Sequence, residues 1–331
     1  MTVGILDIDY HVPPTEVSND TISAWADTTP EWIVDRTGIR TRRYAHTTDP
    51  TSTLAVAAAR RLLDRHQADP SAIIVATSTP DHPLPATAAI VQGILGFRDI
   101  PAFDVNAVCT GFLYALRLAS ALVRDDPRRR PVLVIAADKY STIMDRSDRR
   151  TVALFGDGAA AALVGPVPDG SGLLAQQLVA HGALHDTVKV PAGGSRQPID
   201  ARALEQGDHY FKMNGRGARD YALNTLPALV DDVLRESDLG VGDIDRFVFH
   251  QANLRLVEEL AVKIGADPDR VPVTVDRFGN TGAASVPVTL AHSHRERPIA
   301  HGENILLAGV GGGLTGGAAV LRWHRTGGSD G

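Results

Sequence analysis

The chain of 331 residues contains a single cysteine, Cys109, whose surroundings are those of a nucleophile. A β-prone run over 101–108 delivers it to a helix whose apolar residues begin at Leu113 with 3-4-3 spacing. A thiol at a helix N-terminus faces unsatisfied N–H groups and the positive end of the helix dipole, and both favour the reactive thiolate. The sequence therefore predicts a reactive cysteine; a small buried side chain without chemistry is the alternative.

Two further polar residues stand at predicted strand ends in the second half of the chain. His250 closes the strand 247–250, and Asn280 lies in the glycine-flanked turn 279–282. In α/β sheets, strand ends that face a common crevice carry the functional groups. The combination predicts that Cys109, His250 and Asn280 share one site.

Two other patterns suggest ligands, and their context argues against both. His181 and His185 are four residues apart, as metal ligands on a helix would be, but Gly182 interrupts the helix and no third ligand is evident. The run Gly311-x-Gly-x-x-Gly316 matches a dinucleotide fingerprint, yet no helix and no acidic ribose ligand follow it. No Walker-type loop or Gly-x-Ser-x-Gly elbow occurs. The sequence therefore predicts neither a metal nor a bound cofactor.

Composition narrows the class of protein. Hydrophobic residues make up 44% and charged residues 22% of the chain, as in soluble globular proteins. A net charge of −6 argues against nucleic-acid binding, and no apolar run is long enough to cross a bilayer. A single cysteine forms no internal disulfide, and the N-terminus reads as a first strand rather than a signal peptide. We expect a cytoplasmic α/β protein.

Alternating patterns predict the elements that position these residues. Helices are expected at 30–37, 51–63, 87–95, 111–123, 218–234 (kinked at Pro227), 253–264 and from about 282 to 292. Besides the N-terminal strand, strands are expected at 72–77, 101–108, 132–137, 247–250, 273–275, 305–308 and 318–323. A hairpin is expected at 156–158, a crossing between halves at 165–182 and a long loop over 185–208.

A weak internal echo suggests duplication. Residues 155–164 and 311–320 both combine a glycine turn with a strand of small residues. Two similar α/β halves would explain this, 1–170 with Cys109 and 171–331 with His250 and Asn280; chance similarity of glycine-rich hairpins is the alternative.

Over nearly its whole length, Val3 to Trp323, the chain resembles β-ketoacyl-acyl-carrier-protein synthase III, a condensing enzyme of the thiolase superfamily. The motifs that carry the resemblance are specific together and weak singly. They are Glu31-Trp-Ile-Val-Asp-Arg-Thr-Gly-Ile-Arg40, Cys109-Thr-Gly-Phe112, Ser147-Asp-Arg-Arg-Thr151, Phe155-Gly-Asp-Gly158, His250-Gln-Ala-Asn-Leu-Arg255, Gly279-Asn-Thr-Gly-Ala-Ala-Ser-Val-Pro287 and Gly311-Gly-Gly313.

The resemblance implies a five-layer αβαβα fold, a homodimer and two-step chemistry. Cys109 would accept an acyl group from acyl-CoA while the N–H groups of Cys109 and Gly312 hold the oxyanion. Neutral His250 and Asn280 would then stabilise the enolate formed when malonyl-acyl-carrier protein loses CO2. Two neutral donors beside a nucleophile suit enolate chemistry better than hydrolysis, which needs a base-activated water.

The resemblance also assigns binding residues. Trp32 and Arg149 match residues that sandwich the adenine of coenzyme A, and Arg36 matches one that meets its phosphate. Arg255 matches a cation that docks the acidic carrier protein. A solvated surface charge is the alternative for each arginine.

Two departures from the family pattern remove aromatic volume from the acyl pocket. Leu84 precedes Pro85 where the family often has Phe, and Gly316 stands where it has Trp. We therefore expect that a primer longer than acetyl, branched or functionalised, can fit. Similar departures occur in relatives that load starter units or acylate hydroxyls in polyketide pathways. Asn280 favours condensation over such simple transfer, and the retained triad argues against a non-catalytic partner subunit.

Overall fold

The structure is a computed structural model that describes residues 2–325. Its strands, in chain order, are β1 (Thr2–His11), β2 (Thr15–Ser18), β3 (Thr41–Tyr44), β4 (Ala72–Ala76), β5 (Ala102–Val105), β6 (Val132–Lys139), β7 (Asp157–Val167), β8 (Gly172–Ala180), β9 (Val188–Lys189), β10 (Lys212–Met213), β11 (Arg246–Phe249), β12 (Asn304–Gly311) and β13 (Thr315–Arg322). Its α-helices are α1 (Asn19–Ser23), α2 (Pro30–Thr37), α3 (Thr51–His66), α4 (Thr87–Leu95), α5 (Gly111–Asp125), α6 (Arg149–Val152), α7 (Ala201–Glu205), α8 (Gly215–Glu236), α9 (Leu254–Ile264), α10 (Val275–Phe278) and α11 (Ser285–Glu296).

Two larger sheets share one strand order. The first runs β1-β7-β6-β4-β5 and the second, in the matching direction, β8-β13-β12-β11. In both, the first three strands are antiparallel neighbours and the later ones pair in parallel. The common order confirms two similar halves. The strands of the first sheet lie within residues 2–167 and those of the second within 172–322, and the division of the chain at 170 and 171 stays a prediction.

Helices separate and cover the sheets. Helices α3 and α4 pack on the outer face of the first sheet, and α8 and α9 cover the outer face of the second. Between the sheets lie α5 and α11, whose buried faces contact both. This is the predicted five-layer αβαβα arrangement. Within residues 2–325, no helix combines the length and hydropathy needed to cross a membrane.

Local sequence explains the helix limits that matter for the site. The Thr29 side chain accepts from the Trp32 N–H at the start of α2, and the helix ends at Gly38, whose φ is 72°. Asn253 caps α9 in the same way, and that helix ends at Gly265 with a φ of 78°. Both ends follow the expected capping chemistry, a polar side chain at the start and a left-handed glycine at the end.

Three sequence predictions about connections are wrong. No hairpin forms at 156–158, because β7 begins at Asp157 and pairs with the distant β1 and β6. The predicted crossing at 165–182 is too long: the chain passes from the first sheet to the second over residues 168–171, and β8 occupies most of the remaining segment. The predicted loop over 185–208 contains β9 and α7, the latter started by the Asp200 side chain, which accepts from Ala203 N–H.

The strand predicted at 273–275 is also absent. The N–H groups of Thr274 and Val275 donate to the side-chain oxygen of Gln251, at 3.1 and 3.2 Å, instead of to a neighbouring strand. Helix α10 therefore begins at Val275. The β-branched composition of the segment favours a strand, but a buried glutamine takes the place of its backbone partner.

Candidate active site

Cys109 stands on a sharp turn between β5 and α5. The Asn106 side chain accepts from the N–H of Val108, whose φ of 49° is costly for a β-branched residue. Cys109 follows in a short 3-10 turn that leads into α5 at Gly111. A Cβ at Gly111 would lie 3.1 Å from that of Ala76, so a glycine lets the helix start close to the sheet. This strained turn therefore holds the Cys109 side chain at the start of α5.

The predicted stabilisation of the thiolate is not what the structure shows. Burial raises the pKa of the Cys109 thiol to about 12, the charge of Asp138 acts in the same direction, and the neighbouring Tyr140 hydroxyl opposes both. Removal of the sulfur from water outweighs the helix N-terminus, because desolvation disfavours the charged form. Cys109 is therefore a neutral thiol at rest and must lose its proton as it reacts.

His250 directly follows β11 and is neutral. Its backbone N–H donates to Ala308 in β12 at 2.8 Å, which fixes its position at the end of the sheet. Burial lowers the pKa of the imidazole to about 4. Within the described residues, its Nδ1 has no hydrogen-bond partner. A neutral imidazole donates a hydrogen bond from one ring nitrogen and accepts one at the other, and its tautomer decides which nitrogen does which.

Asn280 is fixed by backbone bonds and not by a strand end. Its N–H donates to Leu154 at 2.8 Å, and its carbonyl accepts from Gly156 at 3.0 Å. A Cβ at Gly156 would lie 2.2 Å from the Phe278 carbonyl, which explains one glycine of the Phe155-Gly-Asp-Gly158 motif. The Asn280 side-chain oxygen accepts from the Gly282 N–H at 3.0 Å. The amide NH2 is therefore the group left to donate to a ligand.

One cavity of about 270 Å³ brings these groups together. Cys109, His250 and Asn280 line it, together with Gly312. The neighbouring Gly311 packs so closely on the cysteine turn that a Cβ there would lie 2.9 Å from the Cys109 nitrogen. The glycine turn and the Cys109 backbone thus meet at one wall of the cavity, where an oxyanion hole requires two N–H groups.

The residues predicted to bind coenzyme A divide into two groups. Arg36 lines the cavity. Trp32 and Arg149 lie outside its lining and contact each other, with the guanidinium 5.2 Å from the ring centroid. An adenine between them needs about 7 Å, twice a van der Waals contact, so one side chain must move before a sandwich can form.

Three other predicted site residues lie away from the cavity. Leu84 is 82% exposed on a loop. Gly316 is buried in β13, where a Cβ would contact Leu229 and Val179 at 3.1 Å, so it provides no acyl space in this cavity. Arg255 lies on the surface of α9, bonded to the Asp35 carbonyl and to Glu258.

The structure adds residues that the sequence analysis missed. Those that line the cavity include Tyr140, Arg150, Phe155, Phe211, Met213, Arg219 and Leu314. Arg150 and Phe155 lie inside motifs already recognised, so their position in those motifs could have identified them as site residues. No sequence pattern indicates Tyr140 or Phe211, because Tyr140 follows a strand without a motif and Phe211 follows a segment without periodicity. Within the described residues, no cluster of His, Cys, Asp and Glu is arranged to hold a metal.

A cysteine on a strained turn, facing a neutral histidine and an asparagine between duplicated αβα halves, defines a condensing enzyme of the thiolase fold. The family description 3-Oxoacyl-[acyl-carrier-protein (ACP)] synthase III matches residues 103–182, and its C-terminal counterpart matches residues 234–323.

Individual proteins agree with that match. The chain is 43% identical to acetoacetyl CoA synthase NphT7 of Streptomyces sp. strain CL190 over 325 residues, 96% of this chain and 98% of the relative. It is 41% identical to β-ketoacyl-[acyl-carrier-protein] synthase III of Roseiflexus castenholzii over 315 residues, 94% and 95% of the two chains. The solved 3-oxoacyl-(acyl carrier protein) synthase III of Pseudomonas aeruginosa PAO1 is similar with a TM-score of 0.90 and 33% identity, covering 99% and 100%. The chain belongs to the 3-oxoacyl-acyl-carrier-protein synthase III family of acyl-transferring condensing enzymes.

Proposed function

We propose that the protein joins an acyl group from acyl-CoA to the two-carbon unit of malonyl-acyl-carrier protein by a decarboxylative Claisen condensation. The observation that carries this proposal is the cavity that Cys109 shares with a neutral His250 and the Asn280 amide. These groups supply a nucleophile and two uncharged donors, which is what acyl transfer followed by enolate formation requires.

In the first step, the Cys109 sulfur attacks the thioester carbonyl and coenzyme A leaves as its thiolate. The N–H groups of Cys109 and Gly312 hold the oxyanion, each worth about 3 kcal/mol when such a donor is well placed. Arg36 binds the phosphates, helped by Arg150 and Arg219, which line the same cavity and have exposed side chains. Trp32 and Arg149 hold the adenine after one of them moves.

In the second step, a malonyl thioester enters the same cavity. His250 and Asn280 donate hydrogen bonds to its thioester oxygen, CO2 leaves, and the resulting enolate attacks the acyl-cysteine. The C–S bond breaks, and the 3-oxoacyl product leaves on its carrier. Acyl transfer to a hydroxyl, as in starter-unit or O-acyl transfer within this family, needs only a base. The Asn280 side-chain oxygen is held by the Gly282 N–H and its NH2 is left to donate, which favours condensation.

A second candidate is condensation with a malonyl group on coenzyme A, which yields a 3-oxoacyl-CoA. The Arg255 guanidinium, expected to dock an acidic carrier protein, bonds instead to the backbone carbonyl of Asp35 and to the Glu258 carboxylate of its own chain. Glu259 of the same helix pairs with Arg219. This face of α9 is therefore not strongly positive, and one relative is an acetoacetyl CoA synthase.

The proposal also includes a homodimer and an acyl primer longer than acetyl. Strand β5 is a sheet edge whose residues are only half-buried, so a second copy can continue the sheet there as a homodimer of 35.2 kDa chains. The exposed Leu84 would then meet the partner, and a primer longer than acetyl remains part of the proposal through that contact. A free thiol and acyl-CoA both fit the cytoplasm.

Intact-protein mass spectrometry tests this function directly. The protein is incubated with a panel of acyl-CoAs of increasing length, and Cys109 is expected to gain the acyl mass. The acylated protein is then divided between malonyl-acyl-carrier protein and malonyl-CoA, and the 3-oxoacyl product is measured in each. Preference for the carrier protein supports the leading candidate, preference for malonyl-CoA supports the second, and loss of the acyl group without a condensed product contradicts both.

A further inference from the structure

A pair of buried threonine side chains joins the turn that carries the nucleophile to the glycine turn of the second half. Thr110 follows Cys109, and Thr315 is the residue of β13 that lies opposite Gly311 of β12. The two hydroxyl oxygens are 2.7 Å apart, and the residues are 0% and 9% exposed. The pair therefore connects the two parts of the backbone that meet at the oxyanion hole.

The direction of each hydrogen bond follows from the distances. A threonine hydroxyl has only one proton to donate. Thr110 donates to the Ala107 carbonyl at 2.8 Å, so it accepts from Thr315 at 2.7 Å. The other acceptors near the Thr315 proton, the carbonyls of Ala107 and Gly312, lie farther away, at 3.3 and 3.4 Å. The bonds thus run from the glycine turn through Thr110 to the carbonyl that precedes the strained residue Val108.

The bond between the threonines acts where the two turns are in closest contact. A Cβ at Gly311 would lie 2.8 Å from the Ala107 carbonyl oxygen and 2.9 Å from the Cys109 nitrogen. It would also lie 2.9 Å from the Thr315 hydroxyl. Steric contact of this kind limits how closely the turns approach, but it does not oppose their separation. A hydrogen bond has a preferred distance and direction and opposes both. The threonine pair therefore sets the separation of the two turns.

We propose that Thr110 and Thr315 are positioning residues that fix the spacing of the two oxyanion donors, the N–H groups of Cys109 and Gly312. When the carbonyl carbon under attack becomes tetrahedral, its oxygen gains negative charge, and both N–H groups must lie within hydrogen-bond distance of it at once. A displacement of about 1 Å costs as much as ~10²-fold in rate. Such a displacement would break the bond between the two buried hydroxyls, so the pair keeps both donors in place.

Isosteric variants test this role. Thr110→Val and Thr315→Val each keep the shape of the side chain and remove the shared bond, whereas Thr110→Ser and Thr315→Ser keep the hydroxyl. The matched control is Thr289→Val. The Thr289 hydroxyl is also fully buried, shares a bond of 2.7 Å with the Thr274 hydroxyl and donates to a backbone carbonyl at 2.8 Å. Both of these residues lie outside the two turns, so the control measures what the loss of a buried threonine pair costs in general.

Three reactions of Cys109 are compared. Acylation is measured with acyl-CoA by mass spectrometry and with p-nitrophenyl acetate by the release of p-nitrophenolate, and both reactions pass through an oxyanion. Alkylation by iodoacetamide displaces iodide from a saturated carbon without an oxyanion, so it reports on the sulfur alone. We expect both valine variants to be acylated about 10- to 10²-fold more slowly at saturating acyl-CoA, with an unchanged half-saturation concentration and an unchanged alkylation rate. The serine variants should keep most of the rate, and Thr289→Val should react as the unchanged protein does.

The double variant Thr110→Val/Thr315→Val should lose no more than the slower single variant, because both changes break the same bond. Additive losses, unchanged acylation in the single variants, or an equal loss in alkylation or in Thr289→Val would overturn the proposal. If Thr315→Val does not fold, Thr110→Val decides by the same criteria. The inference rests on the proposed function only for the reaction with acyl-CoA. Acylation by p-nitrophenyl acetate needs no coenzyme A site, so failure of the function and failure of the positioning role are distinguishable, and acylation by neither reagent would contradict both.

Discussion

The two halves of the molecule use one strand order for two different purposes. In the first, β5 lies beside β4 and leads through the strained turn at Val108 to the nucleophile. In the second, the segment 273–275 forms no strand, is held by the Gln251 side chain and leads to Asn280. The covalent step thus depends on a rigid strand-to-helix turn, and the enolate step depends on a loop fixed by side chains.

The comparison also separates the chemistry. The first half contributes the sulfur, whereas the second contributes the neutral donors His250 and Asn280 and the glycine turn at Gly312. The nucleophile of the first step and the enolate donors of the second therefore come from different halves, and substitutions at Cys109 and His250 should separate the two steps.

The largest effect is expected for Cys109→Ala. Removal of the only thiol leaves no group that can hold the acyl chain, so acylation by acyl-CoA should be lost completely. Decarboxylation of a malonyl thioester should persist, because His250 and Asn280 are untouched. Mass spectrometry and CO2 release measure the two steps separately. Acylation of the variant at another residue would show that the first half is not the sole source of the nucleophile.

The next effect is expected for His250→Ala, which reverses the pattern. The variant should still be acylated, but its decarboxylation rate should fall by about 10²–10³-fold, the usual cost of one oxyanion donor. CO2 release from malonyl thioester after pre-acylation is the measurement. Decarboxylation at an unchanged rate would contradict the role assigned to the second half. His301→Ala, which removes an exposed imidazole, serves as the control.

Sequence patterns predicted the elements that depend on local signals and missed the features that depend on distant residues. The capped helix α2, the helix at 87–95 and the buried strand at 132–137 follow from local signals, a cap, a glycine stop and a β-branched run. The failed strand at 273–275 depends on Gln251, more than twenty residues away, and the pKa of Cys109 depends on how deeply the sulfur is buried. Neither the absence of this strand nor the pKa of Cys109 can be predicted from the neighbouring residues in the sequence.

Stability below neutral pH should report on His250. Its pKa falls from 6.5 to about 4 on folding, so the unfolded chain binds more protons in that interval and stability decreases as pH falls from 6.5 towards 4. The corresponding loss is about 3 kcal/mol. Urea unfolding at several pH values, compared with His250→Asn, isolates this contribution from that of the other buried histidines. Parallel curves for the two proteins would mean that the imidazole is not buried as described.

The smallest effect is expected for Gln251→Leu, which tests the side-chain clamp of the second half. Leucine preserves the volume but leaves the N–H groups of Thr274 and Val275 without an acceptor, at a cost of about 1–3 kcal/mol in the free energy of unfolding. Gln177→Leu, which removes only a surface bond to Glu236, should change stability by no more than about 0.5 kcal/mol. Because the clamp leads to Asn280, the Gln251 variant should also decarboxylate more slowly while it acylates at the normal rate. An equal loss in both steps would mean that the two halves do not position their groups independently.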